Sequence, residues 1–223
     1  MSRTITGLDP DPARAGFVRV QLDGTSYCSL PVTRIAAAGF TAGDALDARR
    51  VRELNQAADE EAAYRTLLRT LERRSFAVAE LRRALVRKGH PKDAVEAALA
   101  RALRAGLLDD AAFAARFVQS RTERGRGPLR IRRDLLALGV DTAVIERALV
   151  AALPPDHDPE LAAEALARKR LAQLHGLPSS VQLRRVTAYL GRRGFSGRAV
   201  TDMVGELFGS QISHKPIAVS HKP

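Results

Sequence analysis

The sequence predicts a mostly α-helical protein: three tandem three-helix repeats forming an elongated curved body, with a small N-terminal β-hairpin and a connecting helix. Three observations predict it. First, Leu85-Val86-Arg87-Lys88-Gly89-His90-Pro91 returns as Leu135-Leu136-Ala137-Leu138-Gly139-Val140-Asp141 and again as Leu190-Gly191-Arg192-Arg193-Gly194-Phe195-Ser196. Each reads as a helix that ends at its glycine and yields at once to another, because glycine enters the left-handed region without a Cβ penalty. Second, apolar residues stand in register about those glycines: Leu81, Ile131 and Val186, then Leu85, Leu135 and Leu190 before them; Val95, Ile145 and Val200, then Leu99, Leu149 and Val204 after them. Within each pair the offset is one helix face, so every unit carries an apolar stripe on both sides of its turn. Third, the chain is 45% apolar but only 4% aromatic, without Trp, a composition that suits helices packed through small residues better than a β-sandwich. Stacked units of this kind contact only their neighbours, which is why the predicted body is elongated.

Residues 1–15, rich in Pro, Asp and Gly, read as disordered. Val18, Val20 and Leu22 then alternate with Arg19 and Gln21, Asp23-Gly24 intervenes, and Tyr27, Cys28 and Leu30 follow. Asp-Gly between such runs is a strong hairpin signal. A lone hairpin is marginal in water and needs a partner; Val32 to Ile35 are placed to supply part of a third strand. Thr41-Ala42-Gly43-Asp44 resembles a helix start, a cap with an acid three residues on. That helix would run through Leu46, Val51 and Leu54 into the first repeat; Ala57-Ala58-Asp59 contains no breaker, so one long helix and two shorter ones are both open. The expected organisation is then a hairpin and connecting helix over 16–58 and repeats over 59–106, 107–155 and 156–208. Their helices fall near 59–74, 77–88 and 91–105; 110–123, 128–138 and 141–153; 159–175, 179–193 and 196–208. Asp141 and Ser196 are expected caps, and Pro91 suits a first helical position. Pro154 to Pro159 reads as a linker, and 209–223, with Ser-His-Lys-Pro twice, as a disordered tail.

The formal charge is +11. Residues 59–108 carry 11 basic and 7 acidic groups and residues 159–223 carry 10 and 4, whereas 109–158 balance at 8 and 8. A basic surface attracts nucleic acid or an acidic protein groove without choosing between them. The single Cys28 excludes an intramolecular disulfide, no apolar run approaches the roughly 20 residues of a membrane span, and Met1-Ser2-Arg3-Thr4-Ile5 lacks the apolar core of a secretion signal. A cytoplasmic protein without membrane contact is expected, and a monomer.

Enzymatic chemistry finds no foothold. The five histidines show no ligand spacing, Gly125-x-Gly127 is followed by Pro128 rather than by a phosphate-loop lysine, and Asp109-Asp110 reads as a helix cap. No catalytic residue, metal or cofactor is expected. A helix, a glycine turn and a second helix do outline a helix-turn-helix. Its groove-entering residues, however, would be Lys92, Asp93 and Glu96 and then Asp141, Thr142 and Glu146, and carboxylates there repel phosphate. The cations stand on the preceding helices instead: Arg82, Arg83, Arg87 and Lys88; Arg130, Arg132 and Arg133; Arg184, Arg185, Arg192 and Arg193. Arg121, Arg124, Arg126 and Arg130 add a basic loop hinged on glycine. This pattern favours contact with backbone phosphates or an acidic surface over sequence reading. An autonomous helix-turn-helix-like transcriptional regulator is the alternative.

Three passages stand out as motifs. The first is Leu71-x-Arg73-Arg74-Ser75 with Glu80-Leu81-x-x-x-Leu85 and Lys88-Gly89. The second runs from Gly106-Leu107-Leu108-Asp109-Asp110 through Phe113-Ala114, Phe117-Val118 and Arg121 to Gly125-x-Gly127-Pro128-x-Arg130-Ile131 and Gly139-Val140. The third is Tyr189-Leu190-x-Arg192-Arg193-Gly194-Phe195-Ser196. Together they span about residues 60–208 and resemble the RecX regulators of the bacterial recombinase RecA, departing from that family at His90, where an aliphatic residue is expected, and after Phe208. The resemblance implies three tandem three-helix repeats and a non-enzymatic negative modulator. It would lodge in the groove of the RecA filament on single-stranded DNA and damp ATP hydrolysis, strand exchange and co-protease activity. RecA and single-stranded DNA are the implied partners, with duplex DNA left open. The candidate contact residues are Arg73, Arg74, Arg82, Arg83, Arg87, Lys88, Arg121, Arg124, Arg126, Arg130, Arg132, Arg133, Arg192 and Arg193.

Overall fold

A computed structural model describes residues 2–151 and 158–213. It falls into two compact units, Met1–Asp109 and Asp110–Pro223.

The first unit begins with a correction. Residues expected to be disordered form strand β1 (Arg3–Pro10), an inner strand of a four-stranded antiparallel sheet of order β3-β2-β1-β4. The expected hairpin is present as β2 (Phe17–Leu22) and β3 (Thr25–Pro31), and Asp23 and Gly24 both take positive φ (50° and 77°), as a primed turn requires. The Asp23 carboxylate then accepts from Arg3 Nε (2.9 Å) and Thr4 N (2.8 Å), tying β1 to the hairpin tip. Those two hydrogen bonds hold the Asp23 carboxyl below its usual range. Ile5 is fully buried in the sheet core beside Val20, Leu22 and Leu30. Cys28 packs against that core, and burial pushes its thiol up to about 11, well away from thiolate reactivity.

Val32 to Ile35 are not a strand. They open helix α1 (Val32–Ala38), which ends at Gly39 with φ +61°. The Thr41–Asp44 signal is likewise a turn: Asp44 accepts from Thr41 N (2.8 Å) and Oγ1 (2.7 Å), but Gly43 swings to φ +94° and the chain enters the short strand β4 (Ala45–Leu46) beside β1. The helix starts later. Asp47 accepts from Arg50 N (2.8 Å) and caps α2, a single 24-residue helix, Ala48–Leu71. Leu54 on α2 belongs to the sheet core, while Ala63 and Leu67 enter a second core with Leu81, Leu85, Val95 and Leu99 of α3 (Val78–Arg87) and α4 (Lys92–Arg104). Pro91 stands at the N-cap of α4, one place before its expected position.

The second unit contains α5 (Asp110–Glu123), α6 (Pro128–Leu138) and α7 (Thr142–Ala151), which pack on one another, then α8 (Pro159–Ala172), α9 (Ser179–Arg193) and α10 (Arg198–Ser213). The last three enclose Ala163, Ala167, Leu171, Val186, Leu190, Phe195 and Val204. Asp141 accepts from Ala143 N (2.8 Å), as a cap should. Ser196 does not cap, because Gly197 at φ +121° intervenes before α10 begins at Arg198. Helix α10 also runs to Ser213, past the expected end at 208. Residues 152–157, which include the first four residues of the expected linker, and the rest of the tail, 214–223, lie outside the described residues.

Candidate nucleic-acid interface

In the second unit two glycine turns bring distant arginines together. Gly127 N donates to Arg193 O at 2.7 Å, joining the start of α6 to the end of α9. The approach is too close for any side chain: a Cβ on Gly127 would lie 2.5 Å from Gly194 O, and one on Gly194 would lie 2.4 Å from Arg130 N and Cβ. Arg193 completes the junction, its Nη1 donating to the carbonyls of Arg124 and Gly125 (3.1 Å each). Those carbonyls follow the end of α5, where backbone acceptors lack helical partners.

The result is a cleft of about 540 Å³ lined by Arg126, Arg130, Arg133, Tyr189, Gly191, Arg192 and Arg193. None of these is acidic. Arg130 stands against Asp134 with Nε and Oδ1 2.9 Å apart but off the hydrogen-bond axis, so its buried Nε keeps no hydrogen-bond partner. Among the described residues, the side chains of Arg126, Arg133 and Arg192 have no ionic or hydrogen-bond partner. Among the described residues, three guanidinium forks are thus free in one concave wall, the geometry that phosphate oxygens match.

The other predicted contact residues divide by their partners. Arg82 pairs with Glu96 (Nε–Oε1 2.6 Å), and Arg132 with Glu146 (2.5 Å). Residues 82 and 132, like 96 and 146, are one glycine spacing apart, so the same bridge recurs between the second and third helices of successive helix triplets. Those two cations therefore neutralise the very carboxylates that stand where a recognition helix would meet DNA. Arg74 is also engaged: it forks onto Glu80 (2.6 and 3.1 Å) and lies over Phe76, 3.6 Å from the ring centre. The Glu80 hydrogen bonds hold its guanidinium pKa above the usual value. Lys88 Nζ reaches Thr70 Oγ1 at 3.3 Å, and Arg121 lies over Phe117 at 4.8 Å. Arg73, Arg83, Arg87 and Arg124 are exposed at the surface. His90 is a turn residue, with Nε2 3.0 Å from Thr66 Oγ1. Burial and then Lys88 push its pKa down, Asp59 partly opposing them.

The structure thus brings Arg126, Arg130, Arg133, Arg192 and Arg193 into one cleft and gives Arg74, Arg82 and Arg132 to ion pairs. Sequence reasoning missed Tyr189 as a lining residue, although it stands one helical turn before Arg193. It also missed a pocket of about 320 Å³ in the first unit, where buried Glu61 accepts from Arg14 (2.7 Å) and Arg101 (3.0 Å). Among the described residues no group of His, Cys, Asp and Glu could hold a metal ion, and no helix is long and apolar enough to cross a membrane.

Comparison with known proteins follows the same boundaries. Residues 63–101 match the family model of the first three-helix domain of RecX, and residues 109–149 that of the second. Regulatory protein RecX of Thermobifida fusca is 39% identical over 141 residues, which is 62% of this chain and 75% of that protein. The chain belongs to the RecX family. Regulatory protein RecX of Halorhodospira halophila is 36% identical, over 63% of this chain and 84% of its own length. A crystal structure of regulatory protein RecX superposes with a TM-score of 0.75 at 23% identity, over 92% of this chain and all of that one. RecX from Lactobacillus salivarius gives 0.58 at 20% identity, over 67% and 96%. At those identities the superpositions show a shared fold. In RecX terms the cleft is composite, since Arg126 to Arg133 lie in the second three-helix domain and Tyr189 to Arg193 beyond it.

Proposed function

We propose that this RecX-family chain is a negative modulator of RecA that lies in the groove of the filament on single-stranded DNA and inhibits ATP hydrolysis, strand exchange and co-protease activity. In this reading its three helix triplets are tandem repeats, and the cleft of the second unit grips the DNA backbone. The observation that carries it is the cleft itself: five arginines, three of them unengaged, with no carboxylate in the lining. Concave positive walls concentrate field on a phosphate. The reading involves no chemistry on the substrate, only occupancy. The transcription-factor alternative gains nothing from the geometry, because Glu96 and Glu146 occupy the groove-entering helices α4 and α7 and are tied to arginines behind them.

The test is RecA's single-stranded-DNA-dependent ATPase, titrated with this protein at physiological salt. Inhibition well below one molecule per recombinase is expected, and should be lost in the triple variant Arg126→Glu, Arg133→Glu, Arg192→Glu with its circular dichroism unchanged. No inhibition by the native chain at saturating stoichiometry would overturn the proposal.

A further inference from the structure

One wall of the cleft is not a cation. Tyr189 is half-buried in the lining, and its hydroxyl has no hydrogen-bond partner among the described residues. Two guanidinium groups flank the ring, Arg193 with Cζ 4.9 Å from its centre and Arg170 at 5.6 Å. Both stand over the ring, but at a distance. Three pairs elsewhere in the chain are much closer, with Arg14 over Phe17 at 3.4 Å, Arg74 over Phe76 at 3.6 Å and Arg101 over Tyr64 at 3.8 Å. Both flanking groups are anchored by other hydrogen bonds. Arg193 is held by the Arg124 and Gly125 carbonyls, and Arg170 Nη1 donates to Gln173 Oε1 at 2.9 Å. Tyr189 and Arg192 are three residues apart on α9, hence neighbours on one helix face. An aromatic ring and free guanidinium forks therefore share one recess of about 540 Å³, within the range of sites that enclose small ligands.

We propose that Tyr189 is a stacking platform for one unpaired base, whose flanking phosphates are taken by Arg133 and Arg192, so that the cleft selects single-stranded over duplex nucleic acid. The inference rests on the reading of the cleft as a phosphate site and adds the group that distinguishes the strands. In a duplex the bases are stacked on one another and paired inward, so only the backbone is offered. A single strand can turn a base onto the ring, and every base has a face to give, which makes the contact tolerant of sequence.

The experiment compares binding of the full chain to three probes of equal length at physiological salt: a thymidine oligomer, the same oligomer with abasic sites throughout, and a duplex. Tyr189→Leu is expected to weaken the thymidine oligomer about fivefold or more while leaving the abasic oligomer and the duplex unchanged, and Tyr189→Phe is expected to bind as the native chain does. Unchanged thymidine binding in Tyr189→Leu, or the same loss on all three probes, would overturn the platform. Failure of the native chain to bind any probe would sink the phosphate reading, and the platform with it. Because Tyr189 also packs on the core of α8 to α10, a second variant guards against misfolding. Tyr189→Trp introduces the chain's only tryptophan, and its emission should be quenched by the thymidine oligomer and not by the abasic one. Binding without quenching counts against the proposal.

Discussion

A methyl group at Gly194 would meet Arg130 at 2.4 Å and would have to sit on a backbone held at φ +92°. A methyl group at Gly89 would meet nothing within 4 Å, although that residue too has positive φ, +87°. The pair separates two costs. Gly89→Ala carries only the left-handed conformation, roughly 1–2 kcal/mol. Gly194→Ala adds overpacking against backbone, so a loss of about 2–5 kcal/mol is expected. Denaturant midpoints of the two variants check this, with Gly194→Ala the lower. His90 offers a second test at this scale. Burial and the Lys88 charge lower its folded-state pKa beneath the ordinary 6.5, so the unfolded chain binds the proton more readily. The stabilisation is then complete above the unfolded value and is lost as pH falls through 6.5 towards the folded one. Melting temperatures taken from pH 7.5 to pH 5 should fall less steeply in His90→Gln than in the native chain.

At the scale of elements, α2 joins two cores. Leu54 is fully buried against the sheet and Leu67 fully buried against α3 and α4. With no break in the helix between them, the two cores are expected to melt together. Leu54→Ala and Leu67→Ala should each remove about 2–5 kcal/mol and shift one common transition of the first unit. Ala58→Pro, which removes a backbone donor in mid-helix, should cost about 3 kcal/mol or more and split that transition in two. Near- and far-ultraviolet circular dichroism followed through denaturation would show which occurs. Elements of this kind also show what could be read from the sequence. The helices and their glycine stops were legible because helical contacts are local and repeat at fixed offsets. Strand β1 was not, since Gly7, Asp9 and Pro10 are loop residue types and its order comes from pairing with Val18 to Leu22 and from the distant Asp23 carboxylate. The arginines of the site were legible as a class. Which of them are engaged was not, because Arg82 finds Glu96 across a turn and Arg193 finds the Arg124 carbonyl 69 residues away. A repeated Arg–Glu offset of 14 at the glycine spacing was the available clue.

For the molecule as a whole the question is whether its charge of +11 acts diffusely or through the cleft. Mass attraction by a basic surface depends on net charge, whereas a phosphate site depends on which cations are free. Two double variants separate these, since each removes two positive charges. Arg133→Gln with Arg192→Gln removes two unengaged cleft arginines. Arg82→Gln with Arg132→Gln removes two that are already paired with Glu96 and Glu146. Exposed ion pairs of that kind contribute little to stability, so both variants should remain folded. Each phosphate that a protein cation neutralises on a single strand releases counterions and contributes roughly 0.7 to the slope of log affinity against log salt. Titrating a thymidine oligomer over a range of salt, the cleft variant is therefore expected to lose up to about 1.4 from that slope. The paired variant should keep the native slope, because its arginines hold carboxylates rather than DNA. Equal slopes in the two variants would mean that the chain reads polyanions by net charge, and the arginines gathered by Gly127 and Gly194 would then be a by-product of packing α6 against α9.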